Sequence, residues 1–149
     1  MKALVVDDNS AIRRLLAHLL GRQGISCETA ETGDEALKHC ERSEFAVVIS
    51  DLNMPGMDGV ELARRLKRRW PELVLLAFTG SSGDGLRLAA ETVFDRVFEK
   101  REIAGVVAEA ARNMAGRQSI GAIAKFADRF HKEHLSFQYG RMGLARSAV

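Results

Sequence analysis

Three short apolar runs punctuate the chain: "ALVV" (3–6), "FAVVIS" (45–50) and "LVLLAFT" (73–79). None alternates with polar residues, which is how parallel strands buried on both faces read. "ISCETA" (25–30) and "RVFE" (96–99) are two weaker strand candidates. Between the runs, apolar residues return at helical spacing. Ile12, Leu15, Leu16, Leu19 and Leu20 mark a first helix, followed by Gly21 and Gly24. Thr32, with Glu35 three residues on, has the form of a capping box opening "TGDEALKHCERS". Val60, Leu62, Ala63 and Leu66 mark a third helix, closed by Trp70-Pro71. A fourth, around 84–91, is short and glycine-rich, and a fifth covers 102–115 in spite of Gly105.

Five strands alternating with five helices predict an α/β domain with a parallel sheet. Right-handed crossovers leave few topologies, one of which is the doubly wound, flavodoxin-like order 2-1-3-4-5. The pattern ends near residue 116, so the expected organisation is a domain 1–116 and a C-terminal extension 117–149. In the extension, Ile120, Ile123, Ala127 and Phe130 predict an amphipathic helix at about 119–135. Lys125, Arg129, Lys132 and Glu133 belong to its polar side, and "SFQYGRMGLARSAV" after it reads as irregular.

With 46% hydrophobic and 28% charged residues in 149, the chain has enough apolar material for a core and enough charge for solubility. A net charge of +2 gives no case for nucleic-acid binding. Charge is nevertheless uneven: from Arg117 onward six basic residues face two acidic ones, leaving residues 1–116 at −2. Cys27 and Cys40 have neither metal-ligand spacing nor a disulfide framework. The first apolar run is too short for a signal peptide and no run approaches a membrane span, so a cytoplasmic location is expected. Arg64, Arg65, Arg68 and Arg69 read as a solvated helix face, and His131 and His134 as surface residues without a third ligand nearby.

Ligand sites in doubly wound sheets lie beyond the carboxyl ends of the strands. Strand 1 ends in Asp7 and Asp8, strand 3 in Asp51, strand 4 in Thr79 and strand 5 in Lys100. Each has a plain structural use taken singly; an aspartate there often just caps the next helix. Together they form one mouth. Clustered carboxylates repel, and a divalent cation relieves the repulsion. Oxygen ligands without His or Cys fit Mg2+. A nearby lysine and a hydroxyl suit a phosphoryl group, and one of the carboxylates is placed to act as a nucleophile.

The runs "VVDDN" (5–9), "DLNMPGMDG" (51–59), "FTG" (78–80) and "FEK" (98–100) resemble the receiver domain of two-component response regulators. The resemblance covers about residues 1–116. It implies that Asp51 takes a phosphoryl group from a sensor histidine kinase or a histidine phosphotransfer protein. It implies Mg2+ held by Asp8 directly, by Asp7 mostly through water, by Asp51 and by the backbone carbonyl of Asn53. Thr79 and Lys100 would contact the phosphoryl group. The protein so implied is a stand-alone signalling protein rather than an enzyme. It assists its own phosphorylation and dephosphorylation and acts on a downstream protein target. The extension then serves packing, a homodimer or partner docking, with no membrane or nucleic-acid role.

Two positions depart from the family pattern. Arg101 stands where proline usually follows the lysine, and Val97 where an aromatic switch residue is common, with Phe98 one place along. A cis bond before Arg101 would cost about 2.5–4 kcal/mol, so that loop is trans or strained. The family's aromatic readout has no matching residue at 97, and the region 97–101 with the short fourth helix and "GSSGDG" before it becomes the candidate output element. An aspartyl-phosphate phosphotransferase for small molecules would want a second Asp where Asn53 stands. A flavin or nucleotide module would want an anion loop where "DDNS" stands. A non-phosphorylated pseudo-receiver adaptor sits poorly with an intact acidic set.

Overall fold

Alternation of strand and helix is realised throughout the computed structural model, which describes residues 2–80, 83–118 and 124–125. The order is β1 (Lys2–Val6), α1 (Ser10–Arg22), β2 (Cys27–Ala30), α2 (Gly33–Arg42), β3 (Phe45–Ser50), α3 (Gly59–Arg69), β4 (Val74–Thr79), α4 (Asp84–Val93) and β5 (Arg96–Glu99). A 3-10 turn, Lys100–Glu102, leads into α5 at 103–118. The strands form one parallel sheet in the order β2-β1-β3-β4-β5. The chain divides into two compact units, Met1–Met114 and Ala115–Val149. The expected helix at about 119–135, His131 and His134 lie outside the described residues apart from Ala124 and Lys125, which are helical. Ser81 and Ser82 of the "GSSGDG" loop also lie outside them.

Each strand divides its side chains between two cores, as the period of two requires. Leu4, Val6, Val48, Leu75 and Ala77 pack with Ala36 of α2, Leu62 and Leu66 of α3, and Ala90 of α4. Ala3, Val5, Ile49, Leu76 and Phe78 pack with Leu16 and Leu20 of α1 and Val106 and Ala110 of α5. Two covered faces explain why the strands read as unbroken apolar runs rather than alternating ones. Val97 packs on the α4 side and Phe98 is buried against α5, so the two neighbours serve opposite faces.

Local chemistry sets the element ends. Asn9 Oδ1 accepts the N–H groups of Ala11 and Ile12 and caps α1. Thr32 Oγ1 accepts Glu35 N–H at 3.1 Å, as the capping pattern requires. The return bond is displaced by one residue: Glu35 Oε2 accepts from Glu31 N–H at 2.9 Å rather than from Thr32. Gly24, at φ 75°, turns the chain sharply after α1, so β2 begins only at Cys27. No peptide bond among the described residues is cis, which settles the Lys100–Arg101 link as trans. Burial pushes the thiols of Cys27 and Cys40 up to about 11, so neither is poised as a nucleophile. No helix among the described residues is long and apolar enough to cross a membrane.

Gly59 opens α3 where no side chain fits. A Cβ there would lie 2.1 Å from the Asp51 carbonyl oxygen and 2.8 Å from Leu52 Cα, both backbone atoms. The close approach lets Gly59 N–H donate to the Leu52 carbonyl at 2.9 Å, tying the start of α3 to the end of β3. Gly59→Ala is therefore expected to destabilise the fold by about 1–3 kcal/mol. Gly21→Ala, in open space on α1, should leave stability unchanged or raise it by up to about 1 kcal/mol. Urea unfolding midpoints for the two variants check the opposite signs.

Candidate functional site

Most of the sheet's buried polar residues gather at its carboxyl edge. Asp7, Ser50, Asp51 and Thr79 are exposed by only 1%, 1%, 6% and 0%, although polar groups ordinarily seek water. Backbone bonds place them there. Asp51 N–H donates to the Val6 carbonyl at 2.9 Å and Asp7 N–H to the Ala30 carbonyl at 3.2 Å, so the ladder runs one residue past each strand. Asp7 and Asp51 are thereby held side by side on the central strands.

Asp51 is fixed by three donors on one oxygen. Its Oδ1 accepts from Leu52 N–H at 2.7 Å, Asn53 N–H at 3.3 Å and the Thr79 hydroxyl at 3.1 Å. Its Oδ2 lies 3.3 Å from Lys100 Nζ. Lys100 comes from the turn after β5, with β4 between it and β3, and only its long stem spans that gap. The same ammonium stands 3.3 Å from Asp7 Oδ2. Asp7 Oδ1 is bound by Asn9 N–H at 2.9 Å.

Among the described residues, Asp7 Oδ2 is buried without a donor in hydrogen-bonding geometry, its ion-pair contact with Lys100 being electrostatic only. Burial raises the Asp7 carboxyl above the ordinary range, the Asn9 N–H opposes this, the Asp51 charge adds to it, and Lys100 pulls back down. For Lys100, burial acts to lower the ammonium. The charges of Asp51 and Asp7, with the hydrogen bond to Asp51, outweigh burial and the net shift is upward.

Carboxylate oxygens of Asp7, Asp8 and Asp51 all lie within 4.8 Å of one another, with Asp8 exposed at the rim. An orphaned buried oxygen in an all-oxygen cluster fits a hard divalent cation, which would take that lone pair and relieve the repulsion. The helix-cap alternative for these aspartates is removed by Asn9, which caps α1 in their place. It holds instead for Asp58, whose Oδ1 accepts Glu61 N–H at 2.9 Å and caps α3.

The structure thus brings Asp7, Asp8, Asp51, Thr79 and Lys100 together, with Asn53 N–H on the Asp51 carboxylate. Val97, Phe98 and Arg101 stand apart from that cluster: Val97 is half-buried, Phe98 is buried, and Arg101 is exposed with its Nε 2.7 Å from Glu99 Oε2. Sequence reasoning missed Ser50, whose hydroxyl donates to the Asp51 carbonyl at 2.8 Å. It also missed Arg13, whose Nη1 donates to the Asp7 carbonyl at 2.7 Å. Arg13 lies one turn past the Asn9 cap, a position from which a long side chain reaches back to the strand end.

A family model for the response regulator receiver domain matches residues 3–108. The DNA-binding transcriptional regulator NtrC of Klebsiella pneumoniae is 41% identical over 80 residues, 54% of this chain and 17% of NtrC. The sensor histidine kinase RcsC of Escherichia coli is 40% identical over 82 residues, 55% of this chain and 9% of RcsC. The chain spans less than a fifth of the length of either curated relative. Among solved structures, the response regulator protein TrrA from Thermotoga maritima, in complex with Mg(2+)-BeF, superposes with a TM-score of 0.65 at 32% identity, covering 74% of this chain and 99% of TrrA. Fold, strand order and the family match over 3–108 agree, and the chain belongs to the response regulator receiver domain family.

Proposed function

We propose that Asp51 accepts a phosphoryl group from a sensor histidine kinase or a histidine phosphotransfer protein, and that the chain signals through altered protein contacts. The observation that carries this reading is the asymmetry at Asp51: among the described residues, three donors sit on Oδ1 and only Lys100 beside Oδ2. The bonds to Oδ1 fix the plane of the carboxylate and leave Oδ2 as the open nucleophile. Oδ2 attacks phosphorus; the new P–O bond forms as the P–N bond to the donor imidazole breaks, and that electron pair leaves with the nitrogen. Lys100 offsets charge on the phosphoryl oxygens, and the Thr79 hydroxyl follows the new group.

Magnesium is the proposed cofactor, held by Asp7, Asp8, Asp51 and the Asn53 carbonyl. When bound it would neutralise phosphoryl charge. The orphaned Asp7 oxygen supports this reading, as does the complex formed by TrrA. Phosphorylation adds about 1.5 to 2 negative charges, to which Lys100 and Thr79 respond first. The proposed route outward uses Val97, which packs on the α4 side, and Arg101, whose partner Glu99 also binds Arg87 of α4 at 3.1 Å. Phe98 anchors the opposite face against α5. Residues 117–149, with six basic and two acidic residues, are the proposed contact for a second subunit or a downstream protein.

Acetyl phosphate with magnesium is expected to label the protein, and Asp51→Asn and removal of magnesium by a chelator each to abolish labelling. Lys100→Ala should slow labelling by about tenfold to a hundredfold. Unchanged labelling of Asp51→Asn would refute the assignment. Deletion of 117–149 is expected to change the oligomeric state or the partner affinity and to leave labelling intact; sedimentation and partner titration measure both.

A further inference from the structure

Lys100 has to place a flexible side chain between two carboxylates, yet the residue after it is Arg101. A following proline would confine the backbone of Lys100 to extended conformations, and Arg101 imposes no such limit. Other bonds bracket the turn instead. Glu102 Oε2 accepts the Glu99 N–H at 2.8 Å. The Glu99 carboxylate faces the Glu102 N–H in return, completing a capping box around Lys100 and Arg101. Two arginines hold the Glu99 carboxylate in place, Arg101 through Nε at 2.7 Å and Arg87 through Nη1 at 3.1 Å.

We propose that Glu102 is a positioning residue for the phosphoryl-transfer site, fixing the turn from which Lys100 reaches Asp51 and Asp7. The proposal rests on the phosphoacceptor reading above. A lysine stem has free torsions, so where its ammonium sits depends on how firmly its Cα is held. The Glu102–Glu99 bond closes the turn that contains Lys100, and the Glu99 carboxylate links that turn to α4 through Arg87. Glutamine at 102 keeps a side-chain oxygen that accepts the same N–H, whereas alanine removes it.

The test uses the full chain as wild type, Glu102→Ala and Glu102→Gln, with two readouts. One is the rate of labelling by acetyl phosphate with magnesium. The other is the NMR order parameter of the Lys100 Cε methylene in the unphosphorylated protein. Glu102→Ala is expected to slow labelling about fivefold, the size of one lost cap bond, and to lower the Lys100 order parameter. Glu102→Gln is expected to restore both. A Glu102→Ala protein with wild-type Lys100 order, whatever its rate, overturns the proposal, and so does a Glu102→Gln protein as impaired as Glu102→Ala. If the wild type takes no label, the phosphoacceptor reading fails, while the order parameters still decide whether Glu102 holds Lys100.

Discussion

Two carboxylates buried side by side need a cation, and the structure supplies one from two strands away. Asp7 and Asp51 are almost wholly removed from water, and Lys100 Nζ stands 3.3 Å from an oxygen of each. Burying a charge without a partner is costly, so the register of the sheet and the reach of Lys100 are bound to one another. β1 and β3 have to be neighbours to set the aspartates together, and the lysine, which follows β5, has to reach across the end of β4. The doubly wound order meets both conditions, because it puts β1 and β3 at the centre and β5 at the edge.

The balance struck at this edge is incomplete, and that incompleteness gives it chemistry. Among the described residues, the Lys100 ammonium faces two of three clustered carboxylates, and a buried oxygen of Asp7 has no hydrogen-bond donor. A cluster short of positive charge attracts a hard cation, and a cation in turn attracts phosphoryl oxygens. Asp51 is set apart from its neighbours by geometry, since three donors bind one oxygen and leave the other facing the ammonium. The tight turn at Gly59 serves the same end, because it holds α3 against the backbone that carries Asp51.

Much of this was legible before any coordinates. Buried parallel strands read as unbroken apolar runs, and the polar residues that close those runs have to lie at the sheet's carboxyl edge. Asp7, Asp8, Asp51, Thr79 and Lys100 follow from that rule alone. What periodicity does not carry is the direction of side chains across elements. Arg13 binds the Asp7 carbonyl because its long side chain turns back from the first turn of α1 to the end of β1, a direction that periodicity does not give. Whether an aspartate caps a helix was undecidable locally: Asn9 took that task from Asp7 and Asp8, while Asp58 kept it. The capping pattern at Thr32 was right for the forward bond and one residue off for the return bond, since a glutamate side chain reaches either N–H. The box at Glu99 and Glu102 went unnoticed because it opens a single 3-10 turn rather than an apolar helix.

An acyl phosphate can be told from other phosphoryl linkages by hydride reduction, which converts an aspartyl phosphate to homoserine. Peptide mass spectrometry of the labelled and reduced protein therefore tests the nucleophile directly. Homoserine at position 51 and nowhere else is the expected result. Label that survives reduction, or homoserine at Asp7 or Asp8, contradicts a phosphoryl-accepting centre built around Asp51.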